Sequence, residues 1–376
     1  MLNRNRTITA CAGITFWKRR RVAQLLARDL APPRFCRSAD AALAAARAQG
    51  GAVAIWSSKS SPDAESKAAQ AGIKLRRMED GFIRSRGLGS DFLAPASIVL
   101  DSKANYFDPS RSSDLEDLLA NTVFDAPLRA RARRLINLLV QGGVSKYAVS
   151  ATPPLLSAKP GQRIVLVPGQ VADDLSVRLG GGSVRGNADL LARVRAANPD
   201  AFIIFRPHPD VEAGHRPGAI ANPVAAGLAD QVSREHGIAP LLSVVDEVHT
   251  LTSLAGFEAV LRGRRVETYG QPFYAGWGLT VDHAPLARRQ RRLTIEELAA
   301  AALILYPHYI DPGTGLLCGP ETLIASFANQ TLWRPGKLMQ MRRWQGRLRY
   351  LLSMIIVRSA PARDSSPRPR EDQIRS

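Results

Sequence analysis

Three observations predict an α/β fold built from two Rossmann-like domains that face a cleft. Short apolar runs alternate with stretches of helical spacing through 13–155, and the alternation resumes through 164–305. A break rich in Pro, Gly and small residues, from Ala151-Thr152-Pro153-Pro154 to Lys159-Pro160-Gly161, separates the two stretches. With 376 residues, 45% of them hydrophobic, the chain has enough apolar surface for two ordinary cores. A βαβα order in each half predicts a doubly wound, mainly parallel sheet covered by helices. The expected division is 13–158 and 159–328.

In the first half the spacing predicts helices over 18–30 and 39–49, a buried strand over 52–56, a helix over 66–71 and a strand from 74 to 78. Ile98-Val99-Leu100-Asp101 reads as a strand that ends in a carboxylate. A helix follows over 113–120, with Asp114 and Glu116 in the first turn where the helix dipole favours acids. The stretch 128–141 is a basic amphipathic helix.

The second half opens on a fully apolar strand, Ile164-Val165-Leu166-Val167-Pro168. A helix over 188–198 is expected with Asn187 as its cap. Strands follow over 202–205 and 244–249, then a helix over 254–262 and a strand over 265–269. Thr294 and Glu297 have capping-box spacing at the start of a helix over 294–305. No repeat of solenoid period is present. Beyond Ala328, residues 333–357 mix Lys and Arg with Leu, Met, Ile and Trp as in a basic amphipathic helix that lies in a membrane interface. Residues 358–376 have the Pro-, Arg- and Ser-rich composition of a disordered tail.

The net charge of +18 points to an anionic partner: nucleic acid, anionic lipid or an acidic sugar. No helix-turn-helix, zinc-finger or RNA-recognition pattern is present, which ranks nucleic acid last. Part of the charge sits in the runs Lys18-Arg19-Arg20-Arg21 and Arg288-Arg289-Gln290-Arg291-Arg292, each a solvated face or an anion-binding one. Cys11, Cys36 and Cys318 are odd in number and lack metal spacing, so a reducing, cytoplasmic compartment is expected. No apolar run approaches the roughly 20 residues of a membrane span, and the start does not read as a signal peptide. The absence of GxGxxG, P-loop, HExxH and GxSxG motifs argues against dehydrogenases, kinases, zincins and α/β-hydrolases.

Four clusters fall where strands end, the usual ligand position in open α/β sheets. The first is Glu79-Asp80-Gly81-Phe82-Ile83-Arg84-Ser85, whose paired acids suit proton transfer or sugar-hydroxyl binding, or else form a surface turn with a local salt bridge. The second is Pro168-Gly169-Gln170-Val171-Ala172-Asp173-Asp174-Leu175-Ser176, where a carboxylate can attack a sugar carbon or simply cap a helix. The third, Arg206-Pro207-His208-Pro209-Asp210, pairs an arginine and a histidine suited to a phosphate. The fourth is Thr252-Ser253 with Glu258 one turn into the next helix, followed by a Gly- and aromatic-rich loop from Gly270 to Gly278. That helix start suits a phosphate, and the loop is expected to bring backbone and flat rings to a ligand.

Taken together, the motifs Glu-Asp-Gly-Phe-Ile-Arg-Ser with Gly-Leu-Gly (79–89), Val-Pro-Gly-Gln-Val-Ala-Asp-Asp (167–174), Arg-Pro-His-Pro-Asp-Val (206–211), Thr-Ser-Leu-Ala-Gly-Phe-Glu-Ala (252–259) and Phe-Tyr-Ala-Gly-Trp-Gly (273–278) resemble the bacterial capsule-polysaccharide β-Kdo transferases. The resemblance runs from about residue 13 to 315. It implies a GT-B-like glycosyltransferase with CMP-Kdo as donor substrate, a lipid-linked Kdo acceptor, no cofactor and no metal. It also implies retention of configuration through a covalent sugar adduct on Asp174. His208 and Thr252-Ser253 fall where the family holds CMP, with Gln170, Arg206 and Glu258 on the same donor side. Glu79 and Asp80 are left as candidates for acceptor activation or donor positioning. A lipid-linked acceptor implies a peripheral place on the inner membrane, beside capsule assembly and export proteins. Large family members carry two transferase modules in tandem, and this length accommodates one. The competing expectations are a non-catalytic sugar- or lipid-binding component of the assembly or export complex, and a transferase that uses another nucleotide sugar.

Overall fold

The computed structural model describes residues 7–26, 31–86, 93–146 and 153–333. The expected interfacial helix (333–357) and disordered tail (358–376) fall almost wholly outside the described residues, with Trp333 alone inside. Strands Ile8–Ala12 (β1), Arg34–Cys36 (β2), Ala52–Trp56 (β3), Leu75–Asp80 (β4) and Ser97–Asp101 (β5) build the first sheet. Strands Ile164–Pro168 (β6), Phe202–Arg206 (β7), Gln231–Val232 (β8), Glu247–Thr250 (β9), Arg265–Thr268 (β10) and Val281–Asp282 (β11) form the second. The chain then returns to the first sheet with Pro307–Ile310 (β12) and Leu317–Cys318 (β13).

The strand orders are β13-β12-β5-β4-β3-β1-β2 and β11-β10-β9-β6-β7-β8. The second sheet is parallel throughout. The first is parallel from β2 to β4, then antiparallel at β5, β12 and β13. Two sheets in one mixed α/β body give the expected GT-B-like, Rossmann-like architecture. The return of β12 and β13 corrects the expected division, however. The stretch 159–328 is not one sheet domain, because its last two strands complete the first sheet.

Local signals account for most elements. Every residue of β3 is buried, as its apolar run requires. Ser113 caps helix Asp114–Asn121 by accepting from Glu116 N–H, and Asp125 caps helix Ala126–Gln141 by accepting from Leu128 N–H. Thr294 and Glu297 form the capping box of helix Ile295–Ala299, which continues as a π-helical segment, Ala300–Leu305.

Four readings change. β1 starts earlier than the predicted elements and lies between β2 and β3 inside the sheet, where Ala10 and Cys11 are fully buried. The predicted strand over 244–249 begins at Glu247, because Ile238–Val244 is helical. Helix Asn187–Ala197 is capped by Gly186 with φ of 101°, and Asn187 itself turns inward. Its buried side chain accepts from Gln170 N–H (2.8 Å) and donates to the carbonyls of Gln170 and Gly218 (both 2.7 Å). The run 288–292 is a solvated face only in part: Arg288, Gln290 and Arg292 are exposed, but the other two residues turn inward. Arg289 is buried against Glu116 and the carbonyls of Pro272 and Ala275, and Arg291 donates to the carbonyls of Leu119, Ala120 and Thr122.

A continuous apolar core passes from one sheet to the other. At its centre Phe82 stacks on Phe273 (4.7 Å between centroids) and meets Phe257 (5.9 Å) and the edge of Tyr106 (4.9 Å). This aromatic contact fixes the two strand-end regions against each other and sets the cleft between them.

Candidate active site

All nine sequence-predicted site residues line one cavity of about 690 Å³: Glu79, Asp80, Gln170, Asp174, Arg206, His208, Thr252, Ser253 and Glu258. They arrive from the carboxyl ends of β4, β6, β7 and β9, or from the helices that start there. The topology explains the convergence, since the parallel strands of each sheet point the same way and deliver their following loops to one edge.

The wall beside β4 is charged and desolvated. Asp80 Oδ2 lies 2.8 Å from Arg84 Nε, and Oδ1 lies 3.6 Å from Lys18 Nζ. Arg84 is fully buried and is also held by the Ser85 hydroxyl and the Leu93 carbonyl. Burial pushes the Asp80 carboxyl up, but Arg84 and Lys18 outweigh it and hold the group at about 2. Glu79 accepts from Asp80 N–H (3.0 Å). Burial, reinforced by the charge of Asp80, pushes Glu79 up to about 7. Two adjacent carboxylates are thereby separated in role, as one stays an anion while the other gains and loses a proton near neutrality. The surface-turn reading of 79–85 does not hold, because the ion pair exists but sits in the cleft.

The opposite wall comes from the second sheet. Asp174 caps helix Leu175–Gly180, accepting through Oδ1 from Ser176 N–H (2.9 Å) and Ser176 Oγ (2.8 Å). Its neighbour Asp173 is exposed and paired with Arg216 (2.7 Å). His208 Nδ1 accepts from Asp210 N–H (3.1 Å), so in the neutral ring the proton sits on Nε2. Burial lowers the pKa of His208 against the pull of Asp210, and Arg206 adds to the lowering. A neutral His208 therefore still offers one N–H donor. Arg206 is anchored by Nε to the His236 carbonyl (3.3 Å).

Gln170 and Thr252 hold each other. The Gln170 amide oxygen accepts from Thr252 N–H (3.0 Å) while its nitrogen donates to Thr252 Oγ1 (2.9 Å). Ser253 caps helix Leu254–Val260 by accepting from Ala255 N–H (3.2 Å). Glu258 is buried. Its Oε1 accepts from Lys146 N–H (3.0 Å), its Oε2 has no hydrogen-bond partner among the described residues, and burial raises its pKa.

The aromatic loop differs from expectation. Tyr274 and Trp277 are core residues, with Tyr274 Oη donating to the Ser253 carbonyl (2.5 Å) and Trp277 Nε1 to the Phe273 carbonyl (2.8 Å). Of that loop, Pro272 and Phe273 line the cavity. Sequence reasoning missed Trp17, Lys18, Trp56 and Lys146, which also line it. Lys18 lies over the Trp56 ring at 3.5 Å. Its position in a basic run at the start of helix Phe16–Leu26 was the available signal. Among the described residues, a group with metal-ligand donors, Glu247, His249 and Glu267, does not line the cavity. Its carboxylates pair with Arg163 (3.1 Å) and Arg265 (2.9 Å). No helix among the described residues is long and apolar enough to cross a membrane.

A profile of the family described as "Capsule polysaccharide biosynthesis protein" matches residues 51–152 and 129–309. The chain is 47% identical over 255 residues to the capsule polysaccharide modification protein LipA of Neisseria meningitidis serogroup A, which covers 68% of this chain and 36% of LipA. It is 41% identical over 293 residues to the lipopolysaccharide-processing protein LpsZ of Rhizobium meliloti, covering 77% of this chain and 66% of LpsZ. Two solved structures from Thermosulfurimonas dismutans align over nearly their whole length. The KpsC β-Kdo 2,7 transferase shows 31% identity and a TM-score of 0.68, covering 86% of this chain and 99% of that one. The KpsC β-Kdo 2,4 transferase shows 30% identity and a TM-score of 0.71, covering 85% and 98%. The chain belongs to the capsule polysaccharide biosynthesis protein family.

Proposed function

We propose that this chain is a retaining β-Kdo glycosyltransferase that uses CMP-Kdo to extend a lipid-linked Kdo acceptor in capsule assembly. The carrying observation is the single cleft that holds Asp174, Arg206 and His208 on one wall and the Glu79–Asp80 pair on the other. Likeness to two solved Kdo transferases over at least 85% of the chain supports the substrate class.

In this reading Arg206 and the Nε2–H of His208 receive the phosphate of CMP. A fixed cation and a neutral donor stabilise charge as it grows on the leaving group, with no metal in the step. Glu258, which lines the same cavity, takes a hydroxyl of the nucleoside. Asp174 attacks the anomeric carbon; the bond from that carbon to the phosphate oxygen breaks, and its electron pair leaves with CMP. The acceptor hydroxyl then attacks the same carbon from the opposite face and loses its proton to Glu79, freeing Asp174. Two displacements restore the original configuration. Asp80, held as an anion, orients Lys18 and Arg84 toward the acidic sugar.

The test is transfer by the purified chain. CMP release and product formation are measured with CMP-Kdo and a synthetic Kdo-terminated acceptor, beside a panel of other nucleotide sugars. CMP release beyond one equivalent per chain that needs acceptor, and is specific for CMP-Kdo, supports the reading. Donor binding without turnover favours the non-catalytic component. The composition of 333–357 also supports contact with an anionic membrane surface. Liposome binding that survives truncation after Ala328 counts against that contact.

A further inference from the structure

The hydroxyls around Asp174 form a directed series, and the direction is fixed by a backbone group. Thr252 N–H can only donate, so the Gln170 side-chain atom that it meets at 3.0 Å is the amide oxygen. The amide nitrogen then faces Thr252 Oγ1 at 2.9 Å and donates to it. The Thr252 hydroxyl donates to Ser176 Oγ at 3.4 Å, and Ser176 Oγ donates to Asp174 Oδ1 at 2.8 Å. The Ser176 backbone N–H reaches the same oxygen at 2.9 Å. Gln170 is itself locked, because its backbone N–H and carbonyl are both bonded to the buried Asn187 side chain. The series thus runs toward one carboxylate oxygen, reached by the two Ser176 donors, from a rigid origin in the loops that follow β6 and β9.

We propose that Ser176 is a positioning residue that assigns the two oxygens of Asp174 different tasks, holding Oδ1 and leaving Oδ2 to attack the sugar. The inference rests on Asp174 being the nucleophile. In the first displacement the Oδ2–carbon bond forms as the carbon–phosphate oxygen bond breaks, and CMP leaves with the electron pair. Asp174 becomes an ester whose carbonyl oxygen is Oδ1, and the Ser176 bonds weaken as the charge departs. In the second displacement the acceptor oxygen bonds to carbon, the Oδ2–carbon bond breaks, and its electron pair returns to Asp174 while the acceptor proton goes to Glu79. The returning charge is again stabilised by the two Ser176 donors, each bond to a charged acceptor being stronger than a neutral one. Ser176 therefore assists adduct breakdown as well as orienting attack.

The test uses the full chain with CMP-Kdo and a Kdo-terminated acceptor. Ser176→Ala keeps the backbone bond and loses the hydroxyl. The expected result is a donor Kd within about twofold of wild type and a kcat lower by about tenfold, a split that marks a transition-state effect. The fraction of chain carrying the Asp174 adduct during turnover, read by intact mass spectrometry, should rise. Ser176→Thr, which restores a hydroxyl, should return kcat to within about threefold, on the same scale of mutant effects. Where the alanine variant is unstable, Ser176→Cys takes its place, since a thiol is a weak donor of similar shape. An unchanged kcat and adduct fraction, or a threonine variant as slow as alanine while both remain folded, overturns the proposal. A wild-type chain that turns over with no adduct on Asp174 instead overturns the nucleophile assignment, whatever Ser176 does.

Discussion

Arg289 and Glu116 form a buried ion pair, with Nη2 and Nε of the arginine 2.9 and 3.1 Å from Oε2 of the glutamate. Arg289 follows the last strand of the second sheet, whereas Glu116 lies in the helix after β5. The same guanidinium donates to the carbonyls of Pro272 and Ala275, so it also holds the loop that carries Phe273 into the cavity wall. A residue that reads as surface charge is a tie between the two sheet layers. Arg289→Ala should cost about 3 kcal/mol, the usual scale for removing one partner of a buried pair. Urea denaturation reads this, and a loss under about 0.5 kcal/mol, the range of ordinary surface substitutions, would place the residue outside the stabilising core.

Glu79 gives the cleft a pH signature. Its carboxyl stands at about 7 in the folded chain against 4.5 for the unperturbed group. The folded state therefore binds the proton more tightly than the unfolded one. Its favourable contribution is complete below 4.5 and lost as pH rises through about 7. Glu79→Gln mimics the protonated side chain. It should be more stable than wild type at pH 8 by on the order of 2 kcal/mol, with no gain near pH 4.5. If Glu79 is the base, wild-type turnover should climb to a plateau above about pH 7, and the variant should lose at least about 100-fold. Equal stability of both proteins at pH 8 would remove the desolvated-acid assignment.

Asp174→Asn should keep the fold, because asparagine caps helices about as well as aspartate. It should also abolish transfer, because a neutral amide is a poor nucleophile. Intact and peptide mass spectrometry of the wild type with donor alone should find the sugar on Asp174. A sugar on Asp173 or Asp80 would move the nucleophile.

His208→Ala should raise the donor KM and lower kcat together, since the Nε2–H contact strengthens as the phosphate gains charge. The substitution also removes the cap on Asp210 N–H, at about 1 kcal/mol of stability. Steady-state kinetics beside a melting curve separates the two effects. A stability loss with unchanged kinetics would leave His208 a cap alone.

Gly256 faces Tyr274 so closely that an added Cβ would lie 2.2 Å from Tyr274 Oη. That hydroxyl donates to the Ser253 carbonyl, at the start of the helix bearing Glu258. Gly256→Ala should cost about 1–3 kcal/mol by overpacking and weaken donor binding through displacement of Ser253. Calorimetric donor titration and thermal melts together check this.

Much of the molecule was legible in the residues themselves. The apolar runs Ala52–Trp56 and Ile164–Pro168, the capping box at Thr294, and the clusters at strand ends are local signals, and each depends on neighbours within a few positions. By itself the sequence therefore determined most of the βα alternation, the two-sheet fold class and a set of chemically suited side chains, but not β1, Ile238–Val244 or the returning β12 and β13. It did not determine that Pro307–Ile310 crosses back to pair with Ser97–Asp101, or that Arg289 finds Glu116, because those partners are set by packing across long chain separations. Nor did spacing distinguish Tyr274 and Trp277, which only fill the core, from Phe273 beside them, which is in the core and also lines the cavity. The different roles of Glu79 and Asp80 were likewise decided by tertiary structure. Adjacent carboxylates are chemically alike until Arg84 and Lys18 are folded against one of them and the cleft removes water from both.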